Sequence, residues 1–471
     1  MWASRQLLQL LAALVVLSYI YIFWMLAFSK EKPIENDFAD IRRQITRLER
    51  LLRKSENNID RIKGELSAQQ AIYKRLASDT SAKHEQKHVG NEEEGQGDTD
   101  AREAISAWPE PIPVLVFACH RAVAVANHVK KLLKYRTSAE RFPIIVSQDC
   151  DDKQVAGVVE SFIPSVQYVK HLSGDKANIT VEAGHERYLT YYMIARHYKL
   201  GLSYVFDQLG YTSVIITEDD LDIAPDFFEY FSATRHLLEI DPTLYCVSAW
   251  NDNGKINLID INSTDLLYRS DFFPGLGWMM TRELWKEFGP IWPNGFWDDW
   301  IRDPLRRKNR SCIRPEISRT GMTPEGRKGA SNGLFFVKHL AKIAINTQPV
   351  NFTTLKMDYL LKENYDRNFI KRVYSATLLS LSNLTQQISR RENTLKEYRI
   401  QYSQLGEYLE IAGQLQIMGD FKAGVPRTAY LGIVTCFINH IRIFVAPDLK
   451  VWKNYDPSWE APENFFNMNF P

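Results

Sequence analysis

The chain has 471 residues, which is too long for one ordinary domain and predicts two globular units with additional segments. Apolar residues make up 45% and charged residues 24% of it, as in folded proteins, so disordered and collagen-like classes are excluded. The formal net charge of +1 lacks the basic excess of nucleic-acid-binding proteins. We therefore expect no nucleic-acid partner.

The first predicted element is an apolar membrane anchor over residues 6–29, preceded by a short cytoplasmic tail, residues 1–5. No charged side chain occurs in residues 6–29, and about 20 apolar residues span a bilayer as a helix. Bulky aromatic residues occupy the distal half of the run, among them Tyr19, Tyr21, Phe23 and Trp24. Aromatic residues there are typical of a membrane interface, whereas a cleaved signal peptide has a small-residue cleavage site.

The orientation of this anchor is left open by the residues alone. Lys30, Lys32, Arg42 and Arg43 follow the span, and only Arg5 precedes it, which favours a cytosolic location for the rest of the chain. Five Asn-x-Ser/Thr sites favour the opposite side of the membrane, where they can be glycosylated. These sites are Asn178, Asn262, Asn309, Asn351 and Asn383.

A heptad pattern follows the anchor and predicts a coiled-coil stem over residues 30–78, which would dimerise the protein. A single amphipathic helix packed against another surface is the alternative. Residues 79–107 lose all periodicity and are rich in Ser, Gly, Glu, Asp and His, which predicts a disordered acidic linker.

Alternating strands and helices begin after the linker. Apolar runs at 113–119, 142–150, 165–172 and 213–218 are separated by helical stretches, including one over 186–209. This alternation predicts a parallel sheet covered by helices, an α/β catalytic domain over residues 108–355. Residues 356–471 form a predicted smaller α+β domain, with a helix over 357–384 and strands at 432–437 and 441–445.

Three chemically useful side chains lie at the ends of predicted strands. Arg121, Asp149 and Glu218 each follow or end a strand, and ligands of such sheets bind beyond the carboxyl ends of the strands. The sequence therefore predicts a binding site at this edge of the sheet.

The five cysteines indicate two disulfides. Cys119 and Cys150 end neighbouring predicted strands about 4.8 Å apart, a separation that a disulfide can bridge. Cys246 and Cys312 form the second predicted pair and leave Cys436 free, which implies an oxidising compartment. The alternative is that all five are buried reduced thiols.

Three consecutive carboxylates, Glu218, Asp219 and Asp220, follow the apolar run at 213–218. Like charges this close repel one another unless a cation or hydrogen bonds compensate for them. A divalent cation binds such oxygen ligands and can neutralise a departing diphosphate. We therefore interpret these residues as a metal site for a phosphate-bearing substrate, while a solvated acidic surface is the alternative.

A second acidic motif lies between aromatic residues, Phe296-Trp297-Asp298-Asp299-Trp300. Flat rings pack on sugars, and an ionised Asp can take a proton from an attacking hydroxyl. A helix N-cap beside core tryptophans is the alternative. The Gly-rich stretch containing Arg327 and Ser331 is interpreted as a mobile phosphate-binding loop, although basic loops are usually only solvated.

The motifs together resemble those of the N-acetylglucosaminyltransferase I family from about residue 110 to the end. The matching segments include Cys119-His-Arg121, IIVSQDC (144–150), YYMIARHY (191–198), EDDLDIAPDFFEYF (218–231), VSAWNDNG (247–254), DFFPGLGW (271–278), FWDDW (296–300), RPEISRT (314–320) and YDPSW (455–459). The resemblance implies a nucleotide-diphospho-sugar transferase fold, GT-A-like and Rossmann-like. It also implies a Golgi membrane protein, single-pass type II, with a lumenal catalytic domain.

The implied reaction moves GlcNAc from UDP-GlcNAc, with inversion and in β-1,2 linkage, to the α-1,3-arm mannose of a five-mannose N-glycan, which initiates hybrid and complex N-glycans. The implied cofactor is Mn²⁺, held by Asp220, and the implied general base is Asp298. The other implied contacts are with the donor: Arg121, Asp149 and His197 with UDP, Glu218 and Asp219 with GlcNAc and ribose, Leu276 and Trp297 with GlcNAc, and Ser331 from the loop.

Two departures from the family pattern concern His120, where a polar or acidic residue is usual, and the Gly321–Glu325 segment, which is longer than expected. Two alternative functions stay open. One is β-1,2-GlcNAc transfer to protein-linked O-mannose, which the absence of an extra carbohydrate-binding domain disfavours. The other is a non-catalytic Golgi scaffold or lectin, which has no need of this set of site residues.

Overall fold

The computed structural model describes residues 110–328, 333–390 and 394–461. The predicted anchor, coiled-coil stem and acidic linker lie outside these ranges. No helix within the described ranges is long and apolar enough to cross a membrane. The described residues belong to one compact unit, Asp98–Pro471.

An eight-stranded mixed sheet forms the centre of this unit. The first nine strands are β1 (Val114–Ala118), β2 (Ile144–Gln148), β3 (Gln167–Lys170), β4 (Ser213–Glu218), β5 (Leu221–Ile223), β6 (Leu244–Ser248), β7 (Leu267–Ser270), β8 (Trp278–Thr281) and β9 (Ser311–Pro315). All except β5 belong to this sheet, in the order β3-β2-β1-β4-β8-β6-β9-β7.

The predicted parallel sheet is confirmed for β3, β2, β1 and β4, which pair in parallel. The remainder is mixed, because β8 runs antiparallel to both β4 and β6, and β7 runs antiparallel to β9. Strand order reverses between β1 and β4, and such a switch point is where open α/β sheets bind ligands. The fold is therefore α/β, with the ends of β1 and β4 at the expected binding edge.

Helices cover both faces of this sheet. The α-helices of this part of the chain are α1 (Ala122–Tyr135), α2 (Lys153–Glu160), α3 (Leu189–Ser203), α4 (Phe227–Thr234), α5 (Leu237–Ile240), α6 (Arg282–Phe288), α7 (Trp297–Arg302), α8 (Pro304–Arg307) and α9 (Leu334–Lys338). Alternate residues of β1 enter different cores, because successive side chains of a strand point to opposite faces. Val114 and Val116 pack in one apolar cluster, whereas Leu115 and Phe117 pack in the other.

The C-terminal part contains a second, four-stranded sheet. The helices of the C-terminal part are α10 (Lys362–Tyr365), α11 (Lys371–Ser375), α12 (Leu381–Ser389) and α13 (Leu405–Leu415). Its strands are β11 (Thr377–Leu378), β12 (Lys396–Tyr402), β13 (Phe421–Lys422), β14 (Val425–Pro426), β15 (Val434–Ile438) and β16 (Ile441–Pro447). The sheet order is β11-β12-β16-β15, and β13 pairs with β14. The two strands predicted near the end correspond to β15 and β16.

The single helix predicted over residues 357–384 is wrong. The segment instead contains α10, α11, the short strand β11 and the start of α12. Its break follows Ser375, where Ala376 adopts an extended conformation and β11 pairs with β12. A strand partner distant in sequence therefore overrides the local helical pattern.

The C-terminal part has its own core, around Tyr408, Val434 and Ile443. However, Leu360 and Val373 pack within the apolar cluster of the large sheet. The predicted domain boundary between residues 355 and 356 stays a prediction. Part of the segment that follows it packs in the core of the large sheet.

Both predicted disulfides are present. Cys119 pairs with Cys150 across the ends of β1 and β2, with Cα atoms 4.8 Å apart, and Cys246 pairs with Cys312 on the neighbouring strands β6 and β9. Cys436 is free and buried, and burial raises the pKa of its thiol to about 12.

We expect the double variant Cys246→Ala/Cys312→Ala to lower the free energy of unfolding by about 2–5 kcal/mol. The reason is that the disulfide reduces the conformational entropy of the unfolded chain, and the variant restores that entropy. The measurement is urea unfolding followed by tryptophan fluorescence. Cys436→Ala is the matched control, since it also removes a buried sulfur but opens no covalent loop. Equal losses in the two variants would show that packing, and not the crosslink, accounts for the effect.

Candidate active site

The acidic turn, residues 218–220, lies at the carboxyl edge of the large sheet. Glu218 is the last residue of β4, and the Asp219 backbone N–H donates to the Phe117 carbonyl at 3.1 Å, at the end of β1. The chain then enters β5, which pairs antiparallel with β10 (Thr320–Met322). Pairing on both sides therefore fixes the direction in which the three carboxylates leave the sheet.

Arg121 lies opposite this turn, at the start of α1. Its guanidinium donates to the Asp220 carboxylate at 2.7 Å and also pairs closely with Asp219. The structure thus brings together the end of β1 and the end of β4, as the positions of these residues in the sequence predicted.

The acidic turn carries more negative charge than its neighbours compensate. Asp219 is 1% exposed and Asp220 5%, and each has one buried carboxylate oxygen with no hydrogen-bond partner. Burial raises the pKa of Asp219 to about 6, and burial together with Asp220 raises the pKa of Glu218. Paired carboxylates with free oxygens are suitable ligands for a divalent cation, so these residues fit the metal that the sequence implies.

His128, on α1, holds both ends of the acidic turn from behind. The buried imidazole Nδ1 lies 2.6 Å from the Leu221 carbonyl, and Nε2 lies 2.9 Å from the Thr217 hydroxyl. A carbonyl can only accept, so Nδ1–H is the donor. Burial lowers the pKa of His128 to about 4, so near neutral pH Nε2 accepts from Thr217. His128 was not predicted from the sequence.

The segment from 321 to 328 covers the acidic turn from another side. The Thr323 N–H donates to the Asp220 carbonyl at 2.8 Å, and a Cβ built on Gly326 would lie 3.3 Å from an Asp220 carboxylate oxygen. Gly321 and Met322 belong to β10, so this unexpectedly long segment supplies the strand that pairs with β5. Ser331, the predicted donor contact of the loop, lies outside the described residues.

A second polar cluster lies at the end of β2. The Ser147 hydroxyl contacts the ring nitrogens of His171 at 2.9 Å and His197 at 3.0 Å. The Arg196 guanidinium donates to Asp149 at 2.5 Å. Burial lowers the pKa of His197 to about 3, so the ring is neutral at physiological pH. Asp149 and His197, both predicted to bind UDP, therefore lie in one cluster, and Arg196 was missed although it precedes His197.

Tyr198 joins the acidic turn to the aromatic acidic motif. Its buried ring stacks on Phe117 at 4.0 Å and on Trp297 at 4.2 Å between centroids. Its hydroxyl donates to a Glu218 carboxylate oxygen at 2.7 Å. Tyr198 was also missed, and the only signal for it in the sequence is its position beside His197 in the YYMIARHY segment.

The aromatic acidic motif forms the start of α7. Trp297 is buried and also stacks near Trp278 and Trp292, so the interpretation as core packing applies to its inner face. Asp298 and Asp299 are partly exposed, at 42% and 41%, and the structure shows no N-cap hydrogen bond from either. The two carboxylates therefore face an open region beside Trp297.

The two carboxylates have different numbers of cationic partners. Arg302 donates to Asp298 at 2.9 Å and to Asp299 at 3.1 Å, whereas Lys422, on β13, pairs with Asp299 at 3.1 Å. Despite burial, Arg302 and Lys422 lower the pKa of Asp299. Glu460 pairs with the same lysine at 3.1 Å. The C-terminal part of the chain therefore contributes directly to this motif.

Leu276, a predicted sugar contact, lies in a turn immediately before β8. Its φ is 49°, and its carbonyl accepts from the Thr320 hydroxyl at 2.6 Å. A Cβ on the adjacent Gly277, whose φ is 90°, would lie 2.5 Å from the Thr320 side chain. The turn therefore requires glycine at 277 and holds Leu276 against the strand that pairs with β5.

The sheet carries a buried acidic turn at its switch point, and Tyr198 joins this turn to the partly exposed carboxylate pair. This arrangement, together with family membership, identifies the protein as a glycosyltransferase. The chain belongs to the GNT-I family, whose profile matches residues 11–459. It is 39% identical over 338 residues to an Arabidopsis thaliana alpha-1,3-mannosyl-glycoprotein 2-beta-N-acetylglucosaminyltransferase, covering 71% of this chain and 74% of that protein.

Two solved glycosyltransferases show distant similarity to this chain. A glucosyl-3-phosphoglycerate synthase from Mycobacterium tuberculosis, solved with Mg²⁺ and uridine diphosphate, is 13% identical, with 55% of this chain and 87% of that chain covered and a TM-score of 0.30. A mannosyltransferase from Pyrobaculum calidifontis, solved with GDP-Man and Mn²⁺, is 15% identical, with 38% and 46% covered and a TM-score of 0.26. Similarity at this level adds no argument about activity.

The raised pKa of Glu218 predicts a pH-dependent stability. Because the folded, metal-free protein binds this proton more tightly than the unfolded chain does, its stability falls as pH rises from the ordinary carboxyl range towards neutrality. In Glu218→Gln this loss is removed, while an amide oxygen can still accept from Tyr198. We expect the variant to be more stable than wild type by about 1–3 kcal/mol at pH 8 and little different at pH 5.

Thermal unfolding in EDTA at the two pH values measures this difference. Glu160→Gln, at the exposed end of α2, is the matched control and should show no pH-dependent gain. A gain of equal size at pH 5 and pH 8 would contradict the electrostatic explanation.

Proposed function

We propose that this protein transfers GlcNAc from UDP-GlcNAc, with inversion and in β-1,2 linkage, to the α-1,3-arm mannose of a five-mannose N-glycan. Membership of the GNT-I family supports this proposal, as does the activity named for the Arabidopsis relative. The structural observation that carries it is Tyr198, which connects the Glu218 carboxylate directly to the Trp297 ring beside Asp298.

The donor side of the reaction is assigned to the ends of β1, β2 and β4. Arg121 supplies a guanidinium suited to phosphate oxygens, and Asp149 supplies a carboxylate that can accept a uracil N–H. Asp220 is the proposed ligand of Mn²⁺, which when bound would neutralise the charge of the departing diphosphate. Asp219 and Glu218 remain to accept hydrogen bonds from ribose and GlcNAc hydroxyls.

The acceptor side is assigned to the carboxylate pair. Asp298 is proposed to take the proton from the mannose 2-hydroxyl as that oxygen attacks the sugar carbon. Asp299 bonds both Arg302 and Lys422, so its negative charge is compensated more fully than that of Asp298. A carboxylate with fewer cationic partners is the better proton acceptor, which favours Asp298 as the base.

The same proposal includes the cellular setting. We propose a single-pass type II protein of the Golgi membrane, anchored by residues 6–29, with the described unit in the lumen and with dimerisation through residues 30–78. The two disulfides support an oxidising compartment. Exposed side chains at three of the Asn-x-Ser/Thr sites also support a lumenal location, where they can be glycosylated. These are Asn262, Asn351 and Asn383.

The reaction is tested with the full-length chain in detergent, UDP-GlcNAc and a five-mannose N-glycan, in the presence of Mn²⁺ or EDTA. Metal-dependent formation of the β-1,2-linked product is the expected result. Transfer to an O-mannosyl peptide instead would favour the alternative enzyme. Failure with both acceptors, despite UDP binding, would favour a non-catalytic scaffold or lectin.

We expect Asp298→Asn to lower kcat by about 10²–10⁴, the usual contribution of a general base, while the dissociation constant for UDP is unchanged. The comparison variant is Asp299→Asn, which removes a carboxylate of the same exposure from the same helix turn. Steady-state kinetics and calorimetric UDP titration separate the two effects. A larger loss of kcat in Asp299→Asn would reverse the assignment of the two residues.

Asp220→Asn is expected to weaken UDP binding in Mn²⁺ by more than about tenfold, or about 1.4 kcal/mol, and to have little effect in EDTA. The physical reason is the loss of a charged metal ligand beside Arg121. Asp222→Asn is the control, since Asp222 pairs with Lys131 and lies just past the turn. Unchanged metal-dependent binding in Asp220→Asn would remove this residue from the metal site.

A further inference from the structure

Three partly buried rings surround Phe296 at the start of the aromatic acidic motif. Tyr191 stacks on Phe296 at 4.9 Å, and the rings of Tyr188 and His185 approach it edge-on at 5.5 and 5.7 Å. We call His185, Tyr188, Tyr191 and Phe296 the aromatic wall. All four side chains are only partly buried, so the wall presents ring surface to solvent.

The wall lies beside the carboxylate pair. Phe296 precedes Asp298 by two residues and has a φ of 52°, which turns the chain sharply before α7 begins. Burial raises the pKa of Tyr191, and the charges of Asp298 and Asp299 raise it further, because the phenol lies near both carboxylates. Tyr191 is therefore neutral at physiological pH and can donate a hydrogen bond next to Asp298.

The wall is distinct from the packing of the neighbouring Trp297. That ring is buried and stacks on Tyr198, towards Glu218, whereas Phe296 stacks on Tyr191. Trp297 thus contacts rings inside the molecule, whereas Phe296 contacts the three partly exposed rings of the wall and the buried ring of Tyr192. The exposed set is available to a second substrate when the donor occupies the acidic turn.

We propose that the aromatic wall binds the terminal mannose ring of the acceptor. This inference rests on the proposed function, in which Asp298 must reach a hydroxyl of that sugar. A pyranose has one face rich in C–H groups, which packs on flat aromatic surface, and hydroxyls that hydrogen-bond to polar groups at its edge. The wall supplies the flat surface, and Tyr191 and Asp298 supply the donor and the acceptor.

Two variants probe the ring and the hydroxyl separately. Tyr188→Ala removes one ring of the wall, and Tyr191→Phe removes only a hydroxyl. We expect each to raise the KM for the five-mannose acceptor about 2- to 10-fold, with the KM for UDP-GlcNAc unchanged. Tyr135→Ala, at the far end of α1, is the control for loss of a partly buried tyrosine and should leave both constants unchanged.

A rise in KM confined to the acceptor supports the wall. An unchanged acceptor KM in both variants overturns it, as does an equal rise for donor and acceptor with a lower melting temperature, which indicates a structural role only. Wild-type saturation-transfer NMR with a mannose oligosaccharide and UDP separates the wall from the reaction. If the wild type binds the oligosaccharide and Tyr188→Ala does not, the proposed role of the aromatic wall is supported even when no transfer occurs. If the wild type does not bind the oligosaccharide, the proposal is overturned.

Discussion

Excess negative charge at the end of β4 is the constraint around which the rest of the site is arranged. Three carboxylates leave a buried strand within one turn, and one guanidinium, Arg121, bonds two of them. Such a turn would open towards solvent if it were not held, because buried charges without partners are costly. His128 holds it from behind, and the segment around Gly326 covers it in front. These contacts hold the turn in place against the repulsion between its carboxylates. One oxygen of Asp219 and one of Asp220 stay without a hydrogen-bond partner and can bind a cation.

The second constraint is the position of Tyr198 between two rings. Stacking on Phe117 and Trp297 leaves this buried side chain little freedom, and its hydroxyl is directed at Glu218. Glu218 and the motif containing Asp298 are far apart in sequence, yet one side chain links the two. Catalysis by displacement requires donor and acceptor atoms to be held in line, and in the proposed reaction rigid contacts of this kind would serve that alignment.

The sequence predicted those parts of the site that depend on strand ends. Arg121, Asp149 and Glu218 were placed at one edge because parallel strands end together, and the same argument predicted the Cys119–Cys150 disulfide. Residues that act through distant partners were not predictable. Lys422 reaches Asp299 across 123 positions, and no local pattern marks it. The antiparallel β8 was also missed, because its four residues give too short a pattern, and its direction depends on both neighbours.

The contribution of Lys422 changes how the C-terminal part should be understood. A separate domain could be removed without altering the chemistry of the first, but here β13 supplies a cation to the carboxylate pair, and Glu460 fixes that cation at 3.1 Å. Without Lys422, Arg302 alone would face the two adjacent carboxylates, at 2.9 Å from Asp298 and 3.1 Å from Asp299. The second cationic partner of Asp299 therefore comes from the C-terminal part of the chain. The β13–β14 pair is accordingly part of the surroundings of the carboxylate pair, because Lys422 on β13 pairs with Asp299.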